Sequence, residues 1–182
     1  MIEERLTRLA ALRGDPAKGI PVTAWATNLD DIDRDLLLRA AIEVVRALMI
    51  PEWESKRRED RRPQIALEAT EAWLAAKNAD TLAVAKTAAK DCTAARNETF
   101  GTDHRIPEAA RACAWAAGAK DNTHIWDGLQ AIEEDLLARI ALVAEFHRVP
   151  EVRKAILASL RKVLAPPPAA ASPTSTGPVP YA

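Results

Sequence analysis

Between Ala66 and Ala119 the chain carries nineteen alanines. No other feature restricts the fold as much. Alanine is the strongest helix former, and its single methyl leaves little bulk between neighbouring helix axes. A chain so built is expected to form helices that approach each other near the short end of the usual ~8–10 Å separation. The stretch Arg61–Lys90 concentrates the pattern: two arginines, Pro63 at the position a first helical turn accepts, then alanines around one large side chain, Trp73. Asn78 and Asp80 interrupt it and recap the chain, which predicts a helical hairpin with a short turn. This pair is expected to be the packing centre of a bundle.

The flanking segments repeat the helical period. Ile2, Leu6, Leu9 and Leu12 predict a helix over 2–13, stopped by Gly14. Residues 14–28 hold two prolines and two glycines and read as a loop, with Trp25 anchoring it to the core. Asp30, Asp31 and Asp33 cluster where the next helix starts, as capping acids do. That helix runs to about Met49, with Leu37, Ala41, Val44 and Leu48 on a face broad enough to make it central. Pro51 then reads as a stop, and 50–62 as a charged connector whose mixed signs neutralise each other. A loop over 97–106 precedes a helix opening at Pro107. A long helix follows Asp121 and Asn122, with Ile125, Leu129, Ile132 and Leu136 on one side. Gly128 lies inside it, which suits a close helix crossing. The last helix opens at Pro150.

The expected fold is therefore all-α: one alanine-rich bundle of about six or seven helices over residues 1–164. Within it, 1–27 form an N-terminal helix and loop, and 28–164 the main bundle. Residues 165–182, rich in proline and small polar side chains, read as a flexible tail.

Composition narrows the function. At 182 residues with 48% hydrophobic side chains, the chain can bury a core without metals or disulfides. A formal net charge of -1 supplies no global basic excess for nucleic acid or an anionic membrane. No apolar run is long enough to cross a bilayer, and the first residues show no signal peptide. Cys92 and Cys113 are too few for a disulfide framework and lack CxxC spacing. The expectation is a reduced, soluble, cytoplasmic protein with no nucleic-acid or membrane partner.

No motif for a cofactor, a metal or nucleophilic catalysis is present. The three histidines (His104, His124 and His147) form neither HExxH nor paired ExxH signatures, and no GxSxG, GxGxxG or Walker loop occurs. Two groups remain as candidate partner-binding residues. The first is the polar and aromatic run Asp121, Asn122, His124, Trp126 and Asp127, where spacings of three and four place side chains on shared helical faces. The second is the connector's Arg57, Arg58 and Arg61. An alternative reading makes His124 a catalytic group beside Asp121 or Asp127. Another makes the chain an adaptor tethered to a larger assembly through its tail.

Three stretches carry a family resemblance: LLLRAAIEVVRALMIPEWE, the pair DRRPQIALEATEAWLAAK and TLAVAKTAAKDCTAAR, and RACAWAAGAKDNTHIWDGLQAI. Together they resemble the immunity-protein-five-like family of bacterial polymorphic toxin systems, over roughly residues 36–140. The resemblance implies an all-helical domain that binds a partner protein, a toxin in that family, and it implies no catalytic residues.

Overall fold

A computed structural model describes residues 2–12, 20–141 and 150–164. Among these residues the regular secondary structure is all helix. The helices are α1 (Ile2–Ala11), α2 (Val22–Ala26), α3 (Arg34–Leu48), α4 (Ile50–Lys56), α5 (Arg62–Ala75), α6 (Ala79–Glu98), α7 (Arg105–Ala116), α8 (Thr123–Ala141) and α9 (Pro150–Leu164). The helices expected from periodicity, about six or seven, are present as α1, α3 and α5 to α9, and α2 and α4 are two short additions. The proposed tail and His147 lie outside the described residues, as does Gly14.

Helix ends follow local chemistry. Asp33 alone of the early acids caps α3, accepting from the amides of Asp35 at 3.0 Å and Leu36 at 3.2 Å. Asn78 starts α6 with a reciprocal capping box. Its side chain accepts from the amides of Asp80 and Thr81, while the Thr81 hydroxyl accepts from the Asn78 amide. Pro63 sits in the first turn of α5, where its missing N–H leaves nothing unpaired.

Two segments read as irregular each contain a short helix. In 14–28, Pro21 precedes α2, whose Val22, Trp25 and Ala26 are all buried. The Trp25 indole donates to the Leu9 carbonyl at 2.8 Å, fastening α2 to α1. Glu133 of α8, itself buried, accepts from the Val22 amide at 2.6 Å and so pairs the first amide of α2. In 50–62, Pro51 does not end helical structure. It occupies the first turn of α4, which follows α3 after a single residue, Met49. The side chain of Trp53, fully buried, holds α4 down.

The densest packing gathers on α7, which closes against α8 and against both helices of the hairpin expected from Arg61–Lys90. Helix α3 packs against α4, α5, α7, α8 and α9, and α7 against α3, α5, α6 and α8. Helix α7 buries Ala109, Ala110, Ala112, Cys113, Ala114 and Ala116, small on nearly every side, so neighbours can close on it from several directions. Helices α5 and α6 lie beside α7. Trp73 is buried as a core anchor, but Ile65 and Val84 remain exposed on the outer faces. The N-terminal helix is not separate from the bundle. Leu6 and Leu9 share one buried cluster with α3, α7 and α9.

Candidate partner-binding site

The five polar and aromatic residues of 121–127 come together at the start of α8, but most are engaged in joining elements. Asp121 accepts from the Thr123 amide at 3.0 Å. Its carboxyl is held below the usual range, first by Thr123 and further by the Arg34 charge. Asn122 accepts from Arg34 at 3.3 Å. The Trp126 indole donates to Asp30 of the turn before α3 at 3.0 Å. His124 and Asp127 form a loose surface pair, Nδ1 to Oδ2 at 3.6 Å, and the His124 ring lies 6.4 Å from that of Trp115.

The organiser of this joint is Arg34, which sequence reasoning did not single out. It is the first residue of α3, and its guanidinium donates to the carbonyls of Ala116 at 2.6 Å and Ala119 at 2.9 Å, besides Asn122. It therefore adds a charged donor at the negative end of α7, where the Ala116 carbonyl also accepts from the Ala119 amide at 3.2 Å, and it reaches the Ala119 carbonyl in the loop beyond. Partial burial pulls Arg34 below its ordinary pKa, and Asp121 and Asp35 oppose the shift. Lysine has one ammonium and cannot span these acceptors. Arg34→Lys is expected to cost about 1–2 kcal/mol of stability, read as a lower urea midpoint at unchanged slope. His124→Ala, which removes a half-buried side chain with only a loose pairing to Asp127, should leave the midpoint in place.

The arginines of the second candidate group lie at another end of the molecule. There the 57–61 connector meets the α6–α7 loop, residues 99–104. Two ties hold them together. Lys56 and Arg57 reach Asp103 at 2.8 and 3.5 Å. Arg62, at the start of α5, bridges Asp60 and Glu98, the last residue of α6, with contacts at 2.7 and 3.0 Å. These two carboxylates raise the Arg62 pKa, and in turn Arg62 lowers theirs. Arg61 pairs with Glu68 at 2.9 Å. Arg58 is exposed and has no ion pair among the described residues.

Between those ties stands Phe100, in the loop expected over 97–106 but not among the candidate residues. It is 71% exposed, the most exposed large hydrophobic side chain described. Gly101 turns the chain beside it with φ of 84°. The Gly101 amide donates to His104 Nδ1 at 3.3 Å, and the imidazole lies 5.1 Å from the Phe100 ring. Burial, then Arg105 and Arg96, lower the His104 pKa, so the ring is neutral at pH 7 and keeps Nδ1 as an acceptor. Thr99, buried, fixes the loop's other side through its hydroxyl, which donates to the Ala95 carbonyl at 2.8 Å.

Charge is layered at this end. The Asp103 side chain is 13% exposed, whereas its partners Lys56 and Arg57 are 48% and 37% exposed. Arg96 likewise lies outside Glu108, and Arg139 outside Asp135. In these pairs the carboxylate is the inner member and the cation the outer one, whereas in the Arg62–Glu98 pair of the same end Glu98 is the outer member.

Cys92 and Cys113 are both buried, and burial pushes each thiol up to about 12. At neutral pH both are protonated, the form with little nucleophilic character. Among the described residues, no group of three or more His, Cys, Asp or Glu side chains is placed to hold a metal ion. No described helix is long and apolar enough to cross a membrane. No family model matches the chain, and no curated protein or solved structure matches it.

Proposed function

We propose that this protein is a non-enzymatic protein-binding module of the cytoplasm, acting as an immunity protein that covers a toxin. The observation that carries the binding reading is Phe100. A large apolar ring is held in water on a loop fastened by ion pairs and a buried threonine, with arginines beside it. Aromatic and arginine side chains are the residues in which binding energy concentrates at protein interfaces. The toxin reading rests on the resemblance of the three alanine-rich stretches to the immunity-protein-five-like family.

The test uses the full chain in its native host. Tagged protein is recovered together with what it holds, identified by mass spectrometry, and the product of the adjacent reading frame is expressed with and without it. The expected result is one stoichiometric protein partner, together with growth inhibition by the neighbouring product that this chain relieves. Recovery of the bait alone would overturn the binding reading. A partner without any relief of growth inhibition would overturn the toxin assignment alone. Deletion of residues 165–182 should leave recovery unchanged; its loss would move recognition to the tail and favour an assembly-tethered adaptor.

A further inference from the structure

We infer that the partner seats on the end of the bundle formed by the 57–61 connector and the 99–104 loop, and that the face it presents is acidic around an apolar recess. This rests on the protein-binding reading and adds the place and the chemistry. The place follows from Phe100, whose exposed ring is suited to enter a recess. The chemistry follows from the layering of charge. Overall the chain is close to neutral, at -1. At this end, however, Asp103, the carboxylate shared by Lys56 and Arg57, lies beneath its cations, and Arg58 stands without an ion pair among the described residues. A partner approaching the loop meets Lys56, Arg57 and Arg58 before it meets Asp103. Exposed Glu59 and Glu98 interrupt this layer, and Glu98 is occupied by Arg62. A carboxylate on the partner gains most from Arg58, which gives up no internal pair to bind it.

An apolar anchor within a charged rim is how many protein interfaces divide affinity from orientation. The Gly101 turn is fastened to His104, whose ring flanks Phe100 on one side, which reduces the loop ordering that binding must supply. His104 is neutral at pH 7, so the attraction for acids comes from the arginines and Lys56. Binding should therefore weaken with salt and change little between pH 7 and pH 8.

The probe is a random copolymer of glutamate and tyrosine, with polyglutamate and polylysine as comparisons, titrated onto immobilised full-length protein. The copolymer should bind most tightly, polyglutamate less so, and polylysine not measurably. Phe100→Ala should abolish the preference of copolymer over polyglutamate. Arg58→Glu should weaken both acidic polymers by roughly tenfold or more. Val84→Ala, which removes an exposed apolar side chain on the outer face of α6, should match wild type and shows that a surface substitution elsewhere has no effect. Both decisive residues are exposed, and unchanged circular dichroism and urea midpoints confirm that the variants are folded. Equal binding by wild type, Phe100→Ala and Arg58→Glu would overturn the placement. Preference for polylysine would overturn the acidic chemistry. In either case a stoichiometric partner recovered from the host would leave the protein-binding reading intact.

Discussion

Replacing Trp53 by alanine is expected to remove about 3–5 kcal/mol of stability, the usual cost of deleting a fully buried large aromatic side chain. Trp53 has no exposed surface. It is the main apolar contribution of α4, whose seven residues are too few to hold a helix by themselves. Its indole also donates to the Asp60 carbonyl at 2.6 Å, and Arg57 lies over its ring at 5.4 Å. One side chain thus ties α4 to the core and sets the course of the 57–61 connector. Trp53→Phe keeps a ring but loses the donor and some volume, and should cost about 1–2 kcal/mol. Urea unfolding of the two variants separates the packing contribution from the hydrogen bond. The functional consequence follows from the same geometry. In Trp53→Ala protein kept folded at low temperature, the connector loses its support, and binding at the Phe100 end should fall although no exposed residue has changed. A loss of stability below about 1 kcal/mol would show that α4 is held by something other than this tryptophan.

Trp53 also marks where the sequence is hard to read. The seven long helices are legible because their apolar residues recur at three and four. Their boundaries are legible where a residue has one dominant local use, as with Asn78 and Pro63. Pro51 has two such uses. It stops a helix that runs into it and starts one that follows, and only the burial of Trp53, a tertiary fact, decides for the second. Arg34 was passed over for a related reason. Its acceptors lie more than eighty residues away on the α7 terminus and the loop after it, and nothing local distinguishes it from a surface arginine. The run Asp121–Asp127 is dense in polar groups because three elements meet there. Spacing within the run shows which residues share a face, but not that Trp126 reaches Asp30 or that Asn122 reaches Arg34. Phe100 is the opposite case. Sequence cannot tell an aromatic that folds inward from one left in water, and its exposure emerges only when the loop is fixed by Lys56, Arg57 and Thr99. Gly128 is the position where sequence pattern and tertiary packing agree most closely.

A side chain at Gly128 has almost nowhere to go. A Cβ there would lie 3.2 Å from the Ala112 methyl and 3.4 Å from the Ala109 carbonyl oxygen, both on α7. The carbonyl belongs to the α7 backbone and cannot turn aside as a flexible side chain would. Gly128→Ala therefore sets two effects against each other. Helix propensity favours alanine by about 1 kcal/mol, and the tight contact opposes it by a similar amount, so the net change should lie within about 1 kcal/mol of zero. Gly128→Val adds two further carbons at the same place and should cost about 3 kcal/mol, the upper part of the range for overpacked cores. The cause can be isolated with Ala112→Gly, which removes the opposing methyl. In a double-mutant cycle on Gly128→Ala and Ala112→Gly, the pair should be more stable than the two single changes add up to, by about 0.5–1 kcal/mol. Strict additivity would mean that α7 and α8 separate freely enough to admit the methyl. The packing of α7 would then not depend on small residues at this crossing. A positive coupling would identify the glycine in α8 and the alanine in α7 as two halves of one close contact. It would also explain why this bundle tolerates an interior glycine in α8, one of its longest helices.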